Sequence, residues 1–227
     1  MPREHWGVRL YYSRFMRGLL RNSVFRLEKE LRDCGSVLDL GCGYNSPLKY
    51  TSPRFSVGVE YFLPFILESR AKSIHRYYIR ADINSLGFKP GSFDAVLLLG
   101  LIEHLDKENA LRLLEKAGTI ARKKVIVLTP NGFLKQFQAD GNEMQAHKSG
   151  WSVRELRGLG FKPYGMNGFK AFRKDVHLQD KEHREASILS TVRFWPRPVW
   201  LIISEITQVI AYYLPTLAFE VFYVKAK

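Results

Sequence analysis

The chain has 227 residues and a mass of 26.3 kDa, which suit one domain with additions better than two full domains. Hydrophobic residues make up 46% and charged residues 25%, so collagen-like and wholly disordered classes are excluded. Two cysteines, Cys34 and Cys42, cannot build a disulfide framework, and they predict a reduced, cytoplasmic setting.

The charge balance is strongly positive, with 35 Lys and Arg against 22 Asp and Glu and a net charge of +13. Such a balance favours an anionic partner, which can be a nucleic acid, a membrane surface or a phosphate-bearing substrate. A basic surface without any charged partner is the alternative. The arginine-rich start of the chain lacks the apolar core of a secretory signal, and we predict no transmembrane helix.

The N-terminal residues 1–33 are predicted to form a basic amphipathic arm, because leucines and a valine recur at three- or four-residue steps between arginines. From residue 34 onward, short apolar strands alternate with helical stretches, a pattern typical of a parallel sheet with helices on both faces. The predicted strands are 36–40, 55–60, 77–80, 93–99, 124–128 and 161–166, and the predicted helices are 64–72, 107–122 and 152–159.

The last third of the chain departs from this alternation. A polar segment, 129–150, shows no period, and loops of that length are usually functional. Residues 170–217 are interpreted as an insert that begins densely charged and becomes an apolar helix or helical hairpin. Residues 219–224 then form a terminal strand, which completes a domain over 34–227.

A glycine-rich turn follows the first predicted strand, at Gly41-Cys42-Gly43. Such a turn lets a ligand approach the backbone closely. The third glycine of a dinucleotide fingerprint is replaced by Ser46, and the Asp39 carboxylate beside the turn would repel a diphosphate. The spacing therefore favours a nucleoside whose tail carries an ammonium and a sulfonium, and an ordinary strand-to-helix turn is the alternative.

Two further acidic residues follow neighbouring strands. Glu60 ends the second strand, where a carboxylate can accept hydrogen bonds from ribose hydroxyls, and Asp82 follows the third, where it could accept from an adenine amino group. A solvated strand-end acid and a turn-capping aspartate are the respective alternatives. Because ligands bind outside the carboxyl ends of parallel strands, we expect these residues to meet 100–104 and 129–131 at one edge of the sheet.

These segments together resemble a class I S-adenosylmethionine (SAM)-dependent methyltransferase over 36–166. The resemblance rests on VLDLGCG (37–43), GVE (58–60), AD (81–82), FDAVLLLGLIEHL (93–105) and VIVLTPNG (125–132). The stretch 147–156 is similar to a subgroup of bacterial and archaeal methyltransferases of unassigned substrate. The resemblance implies a Rossmann-like α/β fold: a seven-stranded, mostly parallel sheet with helices on both faces and an antiparallel last strand. The N-terminal helical arm and the apolar insert lie outside this shared core.

The same resemblance implies SAM as the methyl donor, with S-adenosylhomocysteine as the product. Asp39, Gly41 and Gly43 would hold the methionyl end, Glu60 the ribose, and Asp82 with Ile83 the adenine. Residues 101–104 would line the methyl-transfer side. The predicted cofactor-binding set is Asp39, Gly41, Cys42, Gly43, Glu60, Tyr61, Asp82, Ile83, Gly100 and Leu101.

Methyl transfer from a sulfonium is an in-line displacement, and the protein must align nucleophile, carbon and sulfur. An acceptor that is protonated at neutral pH also needs a base. We predict His104 as the first candidate and His147 as the second, although either could instead cap a helix or bond the backbone. The role of Glu103 stays open between binding and structure. No cluster of carboxylates suggests a metal, so none is expected.

The acceptor is predicted to be a small molecule, lipophilic or glycan-linked. The insert places Trp195 and Trp200 beside Arg193 and Arg197, a pattern typical of a membrane-interface helix. Together with the basic arm, it predicts peripheral association with an anionic membrane; packing on the sheet or a homodimer seam is the alternative. Nucleic-acid amino-methylation is disfavoured, because 100–104 lacks the Asn/Asp-Pro-Pro-aromatic run. An RNA-binding or RNA-methylating protein and a catalytically silent assembly partner on the same fold stay as alternatives.

Overall fold

The computed structural model describes residues 13–51, 53–136, 142–174 and 192–227. Its strands are β1 (Ser36–Leu40), β2 (Phe55–Glu60), β3 (Tyr77–Arg80), β4 (Phe93–Leu99), β5 (Ala121–Pro130), β6 (Lys162–Phe169) and β7 (Ala218–Ala226). Its α-helices are α1 (Arg14–Leu20), α2 (Ser23–Leu31), α3 (Leu63–Ala71), α4 (Lys107–Ile120), α5 (Val153–Gly158) and α6 (Arg197–Tyr213).

The seven strands form one sheet in the order β3-β2-β1-β4-β5-β7-β6. Strands β1 to β5 are parallel to their neighbours, and β7 runs antiparallel to both β5 and β6. The predicted fold class is therefore confirmed, including the antiparallel last strand. The chain winds outward from β1 to β3 and then returns to the other side of β1 at β4. This reversal opens a crevice at the carboxyl ends of β1 and β4, where ligands bind in open α/β sheets.

The core lies on both faces of the sheet, because alternate residues of a buried strand point in opposite directions. On one face, Leu38 and Val96 pack with apolar residues of α4 such as Leu113. On the other face, Val37 and Leu97 pack in a second cluster. Continuous apolar runs such as β4 are explained by this burial on two sides.

Several strands are longer than predicted. The helix predicted over 107–122 ends at Ile120, and β5 begins at once, because Ala121 has extended backbone and pairs with Phe93. Strand β6 continues to Phe169 and β7 to Ala226, where each pairs with a longer partner. In β5, β6 and β7 the sequence pattern marked only the apolar centre, and pairing extends the ends of these strands, whereas the bounds of β1 to β4 are as predicted.

The described part of the N-terminal arm packs on the domain. Leu27 and Leu31 of α2 are buried in the second cluster of the core. Arg26 lies over the ring of Tyr164, 3.6 Å from its centroid, and donates a 3.1 Å hydrogen bond to the hydroxyl of Tyr212. The apolar face of the amphipathic helix α2 therefore packs against the sheet. Residues 1–12 of the arm lie outside the described residues.

The apolar part of the insert is one helix, α6, which lies closely on β6. A Cβ at Gly165 would come within 2.0 Å of the Ala211 carbonyl oxygen, and one at Gly168 within 2.2 Å of the Ser204 carbonyl oxygen. The helix therefore reaches the strand only because both positions are glycine. Residues 175–191 of the insert lie outside the described residues. Among the helices described, none is long and apolar enough to cross a membrane.

Candidate active site

The glycine turn after β1 adopts left-handed backbone at two positions. The φ angle is 64° at Gly41 and 56° at Gly43, a region that favours glycine. A Cβ at Gly41 would lie 2.7 Å from a methyl carbon of Leu101, so the turn packs directly against the residues that follow β4. A Cβ at Gly43 would meet no atom within 4 Å. The turn thus borders open space on its Gly43 side, where a ligand can approach the backbone.

Glu60 connects the end of β2 to this turn. Its carboxylate accepts a 3.1 Å hydrogen bond from the Gly43 amide and 2.9 Å bonds from the amides of Tyr61 and Phe62. A carboxylate has about four acceptor sites, so capacity remains for a ribose hydroxyl. The side chain is only half-buried. Its position fits the predicted ribose contact.

Asp39 points into the protein and is 1% exposed. It accepts a 2.6 Å hydrogen bond from the Ser46 hydroxyl, and Nε2 of His75 lies 3.5 Å away. Burial, helped by the charge of Glu60, raises the pKa of Asp39 to about 7. The carboxylate is therefore placed to shape the turn from inside, and a direct contact with the methionyl end is not available to it in this arrangement.

Cys42 is likewise an interior residue, at 3% exposure. A Cβ at Gly58 in β2 would come within 2.8 Å of its sulfur and 2.6 Å of the His75 ring. The absence of a side chain at position 58 therefore makes room for Cys42 and His75 beneath the turn. The amide of Cys42 is turned inward as well, because it donates a 3.0 Å hydrogen bond to the Val59 carbonyl.

The predicted adenine region follows β3. Asp82 caps a short 3-10 helix over Ile83–Ser85, and its Oδ1 accepts 2.9 Å bonds from the amide and the side chain of Asn84. Asp82 is exposed and Ile83 is half-buried. One carboxylate oxygen of Asp82 therefore caps the turn, which is the alternative role considered for this residue. Tyr61, also predicted, is 49% exposed at the end of β2.

The chain leaves β4 through a second left-handed glycine, Gly100, whose φ is 69°. Its amide donates a 2.8 Å hydrogen bond to the Leu128 carbonyl. Leu101 is 9% exposed, and a short 3-10 helix over Ile102–His104 follows. Because Leu101 contacts the first glycine turn, this exit places Glu103 and His104 next to the predicted donor site.

The two predicted catalytic histidines meet. The ring centroids of His104 and His147 are 4.7 Å apart, nearly perpendicular to one another. Nδ1 of His104 lies 3.3 Å from the Ala146 carbonyl oxygen, and Nδ1 of His147 lies 2.7 Å from the Leu134 carbonyl oxygen. Burial lowers the pKa of His104 to about 4, assisted by His147, so His104 is neutral at pH 7. The sequence identified each histidine separately but not that they form a pair.

Glu103, whose role was open, completes the group. One ligand atom from each of Glu103, His104 and His147 lies within 4.8 Å of the others. Glu103 is 5% exposed, and burial raises its pKa to about 8. Its carbonyl oxygen accepts hydrogen bonds from the amides of Lys148 (2.8 Å) and Ser149 (3.0 Å). These bonds hold the segment that carries His147 against the end of β4.

Trp151 fixes the same segment, and sequence reasoning gave it no role. It is 2% exposed, and its Nε1 donates to the Ser149 hydroxyl (3.1 Å) and the Ile102 carbonyl (3.4 Å). Lys107 lies over its ring, 3.9 Å from the centroid. In the sequence, only the resemblance of 147–156 to other methyltransferases drew attention to Trp151, and that resemblance assigned no physical role to it. We name 142–152, held in this way, the acceptor loop.

The fifth predicted strand end has a structural role. The Asn131 side chain donates to the carbonyls of Pro215 (3.2 Å), Thr216 (2.9 Å) and Ala218 (2.9 Å). These bonds join the end of β5 to the chain entering β7. The residues around 129–131 therefore support the edge of the site.

The comparisons with known proteins agree with this geometry. Residues 38–134 match the methyltransferase domain family. An uncharacterized protein of Methanocaldococcus jannaschii is 30% identical over 120 residues, which are 48% of this chain and 47% of that protein. The chain thus spans about half the length of the curated relative it matches.

Solved structures show the same fold. A SAM-dependent methyltransferase of Archaeoglobus fulgidus superposes with a TM-score of 0.53 at 16% identity, covering 94% of this chain and 98% of the other. A SAM-dependent methyltransferase of Thermotoga maritima gives a TM-score of 0.53 at 17% identity, covering 92% and 89%.

The family match over residues 38–134 and the fold together support a class I SAM-dependent methyltransferase. The resemblance to class I SAM-dependent methyltransferases that the sequence indicates is confirmed, and so is SAM as the cofactor. The residues present fit such a donor. Open space at Gly43 adjoins a half-buried carboxylate with acceptor capacity at Glu60.

Proposed function

We propose that this protein transfers a methyl group from SAM to a nucleophile that enters beside Glu103, His104 and His147. The observation that carries the proposal is the contact between the two sides. Leu101 contacts the glycine turn at Gly41 and lies three residues before His104. The donor and acceptor positions are therefore neighbours. Alignment of this kind is the main contribution a protein makes to an in-line displacement.

On the donor side, the glycine turn at Gly41–Gly43 borders the methionyl end, Glu60 binds the ribose hydroxyls, and Asp82 with Ile83 borders the adenine. Asp39 acts indirectly, because its carboxylate holds Ser46 and thereby the shape of the turn. SAM supplies a methyl group on a positively charged sulfur. The charge of Glu60 beside the turn favours such a cation over a diphosphate.

On the acceptor side, the two imidazoles contact the nucleophile. Their Nδ1 atoms face backbone carbonyls, which accept only, so each Nδ1 carries the proton. Each Nε2 then has a lone pair, with which a histidine can accept a proton or a hydrogen bond from the acceptor. Glu103 lies behind them in the interior.

The ribose contact is tested by titrating SAM calorimetrically into the wild type and Glu60→Gln. We expect the variant to bind SAM at least about tenfold more weakly, a loss of roughly 1.4 kcal/mol. Glu115→Gln, on an exposed position of α4, is the matched control and should bind like the wild type. Equal affinity in Glu60→Gln removes the ribose assignment. NAD binding in place of SAM contradicts the proposal as a whole.

We further propose a lipophilic acceptor delivered at an anionic membrane surface. The face of α6 that turns away from β6 exposes large apolar side chains, among them Ile202 (61%) and Ile206 (65%), and Trp195 (85%) precedes the helix. Phe15 and Leu19 of α1 are also exposed, at 76% and 55%. Exposed apolar residues on a protein of net charge +13 suit an interface that is apolar inside and anionic outside.

Sedimentation with vesicles tests this surface. We expect binding to phosphatidylglycerol vesicles, weaker binding to phosphatidylcholine vesicles, and loss of both in the double variant Ile202→Ser with Ile206→Ser. Leu111→Ser, at an exposed apolar position on α4, is the control and should bind as the wild type does. If all three proteins stay in the supernatant, or if the double variant instead turns a wild-type dimer into monomers in light scattering, the membrane proposal is wrong.

A further inference from the structure

We propose that Glu103, His104 and His147 form a binding site for a first-row divalent cation such as Mn²⁺, Co²⁺ or Zn²⁺. The second part of the inference, that this cation orients an acceptor oxygen for methylation, rests on the proposed function. The expectation of no metal was based on the lack of a carboxylate cluster in the sequence. The donor set here is different: two imidazole nitrogens and one carboxylate oxygen.

The distances suit one ion. One donor atom from each residue lies within 4.8 Å of the other two. Three ligands held about 2.1 Å from a common ion lie about 3.4–3.6 Å from one another, so the donor atoms would approach one another by up to about 1.4 Å through side-chain rotation when the ion binds. The three donors come from two chain segments, which the hydrogen bonds from Lys148 and Ser149 to the Glu103 carbonyl hold together.

Both imidazoles are already oriented as ligands. The Ala146 carbonyl faces Nδ1 of His104, and the Leu134 carbonyl faces Nδ1 of His147. Because a carbonyl can only accept, the proton resides on Nδ1 and Nε2 presents a lone pair. Histidines that bind metals usually have this arrangement, since a backbone carbonyl or carboxylate fixes the tautomer and the ring.

Glu103 gives a second, independent indication. The side chain is 5% exposed, and its Oε2 has no hydrogen-bond partner within the described part of the chain. A buried polar atom without a partner costs on the order of 1–3 kcal/mol, and more for a charged group. A cation bound by Glu103 and the two imidazoles would give this buried side chain a charged partner. The glycine at position 100 leaves the approach to Glu103 open, since a Cβ there would meet only Oε1 of Glu103, at 3.7 Å.

The donor set also selects the type of metal. Imidazole nitrogens favour Zn²⁺, Co²⁺ and other transition ions over Mg²⁺ and Ca²⁺, which prefer oxygen alone. Three protein donors leave coordination positions open for water and substrate. With both Nε2 atoms bound to the cation, the histidines would act on the acceptor through the ion, and a hydroxyl bound there would lose its proton to water. Its oxygen then bonds to the methyl carbon, and the carbon–sulfur bond breaks with its electron pair left on sulfur. The substrate class that follows is a hydroxyl-bearing acceptor.

The test titrates MnCl₂ into the full-length, tag-free, EDTA-treated protein and follows free Mn²⁺ by electron paramagnetic resonance, with ZnCl₂ as competitor. We expect one equivalent of Mn²⁺ to bind and Zn²⁺ to displace it. Glu103→Gln and His147→Ala should each weaken binding at least about tenfold, since even the loss of an outer partner of a ligand costs 10–100-fold. Glu143→Gln, an exposed carboxylate on the same acceptor loop, is the control and should bind as the wild type does.

Melting curves for all the variants establish that each is folded. Absence of Mn²⁺ and Zn²⁺ binding by the wild type, or equal affinity in Glu103→Gln and the wild type, overturns the metal site. Calorimetry with SAM on the same samples separates the two proposals. A protein that binds SAM but no Mn²⁺ contradicts only the metal site, and one that binds Mn²⁺ but not SAM contradicts only the proposed function.

Discussion

The donor and acceptor halves of the proposed site are built in different ways. The donor half, Gly41–Gly43 with Glu60 and Asp82, consists of residues that directly follow three neighbouring parallel strands. The acceptor half joins the end of β4 to a loop that lies between β5 and α5. Short-range strand geometry positions the first half. The second depends on a few bonds between distant segments, chiefly from Lys148 and Ser149 to Glu103.

This difference has a consequence for variation in function. In the donor half, Glu60 is bonded to three backbone amides, so its position is set by the chain that the sheet already holds. In the acceptor half, His147 lies on a loop outside the sheet. Loops carried on a rigid scaffold are where substrate specificity usually resides. The two halves should therefore respond separately to substitution.

Trp151→Ala should show the largest difference between its effect on stability and its effect on SAM affinity. The side chain is almost wholly buried and bonds the acceptor loop to Ile102. Its removal should lower the free energy of unfolding by about 3–5 kcal/mol, as loss of a buried aromatic typically does. SAM affinity of the folded protein should change by less than about threefold, a difference below roughly 0.7 kcal/mol. Denaturant unfolding and SAM calorimetry at low temperature measure the two effects.

Trp151→Phe is the matched control, because it keeps most of the packing and removes only the indole N–H. Its cost should be smaller, about 1–2 kcal/mol, from the lost bonds to Ser149 and Ile102. A large loss of SAM affinity in either variant would contradict the independence of the halves. It would show that the acceptor loop supports the donor pocket.

The arrangement of the residues in the proposed donor half was largely predictable because each part of it is local in sequence. The strand, the glycine turn and the acid that ends the next strand follow one another within a short stretch, and their geometry depends on strand ends alone. What could not be predicted was the direction of individual side chains. Asp39 is predicted at the ligand, and its carboxylate accepts a hydrogen bond from Ser46 and lies 3.5 Å from Nε2 of His75 in the interior.

The acceptor half was predictable only as separate residues. His104 and His147 were identified as candidates, but nothing in their spacing shows that Lys148 and Ser149 bond to Glu103. The helix α6 shows the same limit. Its apolar character is evident in the sequence, whereas its close fit on β6 depends on Gly165 and Gly168, which belong to a distant strand.

A smaller and sharper test compares alanine at the two glycines of the donor turn. Both have positive φ, so both variants share a backbone penalty of about 1–2 kcal/mol. Only at Gly41 does the new Cβ also meet Leu101, at 2.7 Å, which should add about 1 kcal/mol or more of overpacking. Gly41→Ala should therefore unfold at lower denaturant than Gly43→Ala.

For SAM affinity, the order of the two variants should be the reverse of their order in stability. The Cβ of Gly43→Ala points into space that no protein atom occupies within 4 Å, and the proposed donor site places SAM there. We expect this variant to lose at least about tenfold in SAM affinity, more than Gly41→Ala, although it is the more stable of the two. Calorimetry ranks the two variants by SAM affinity, and denaturant unfolding ranks them by stability. If the less stable variant is also the weaker SAM binder, stability alone explains both results, and the space beside Gly43 is not where the methyl donor binds.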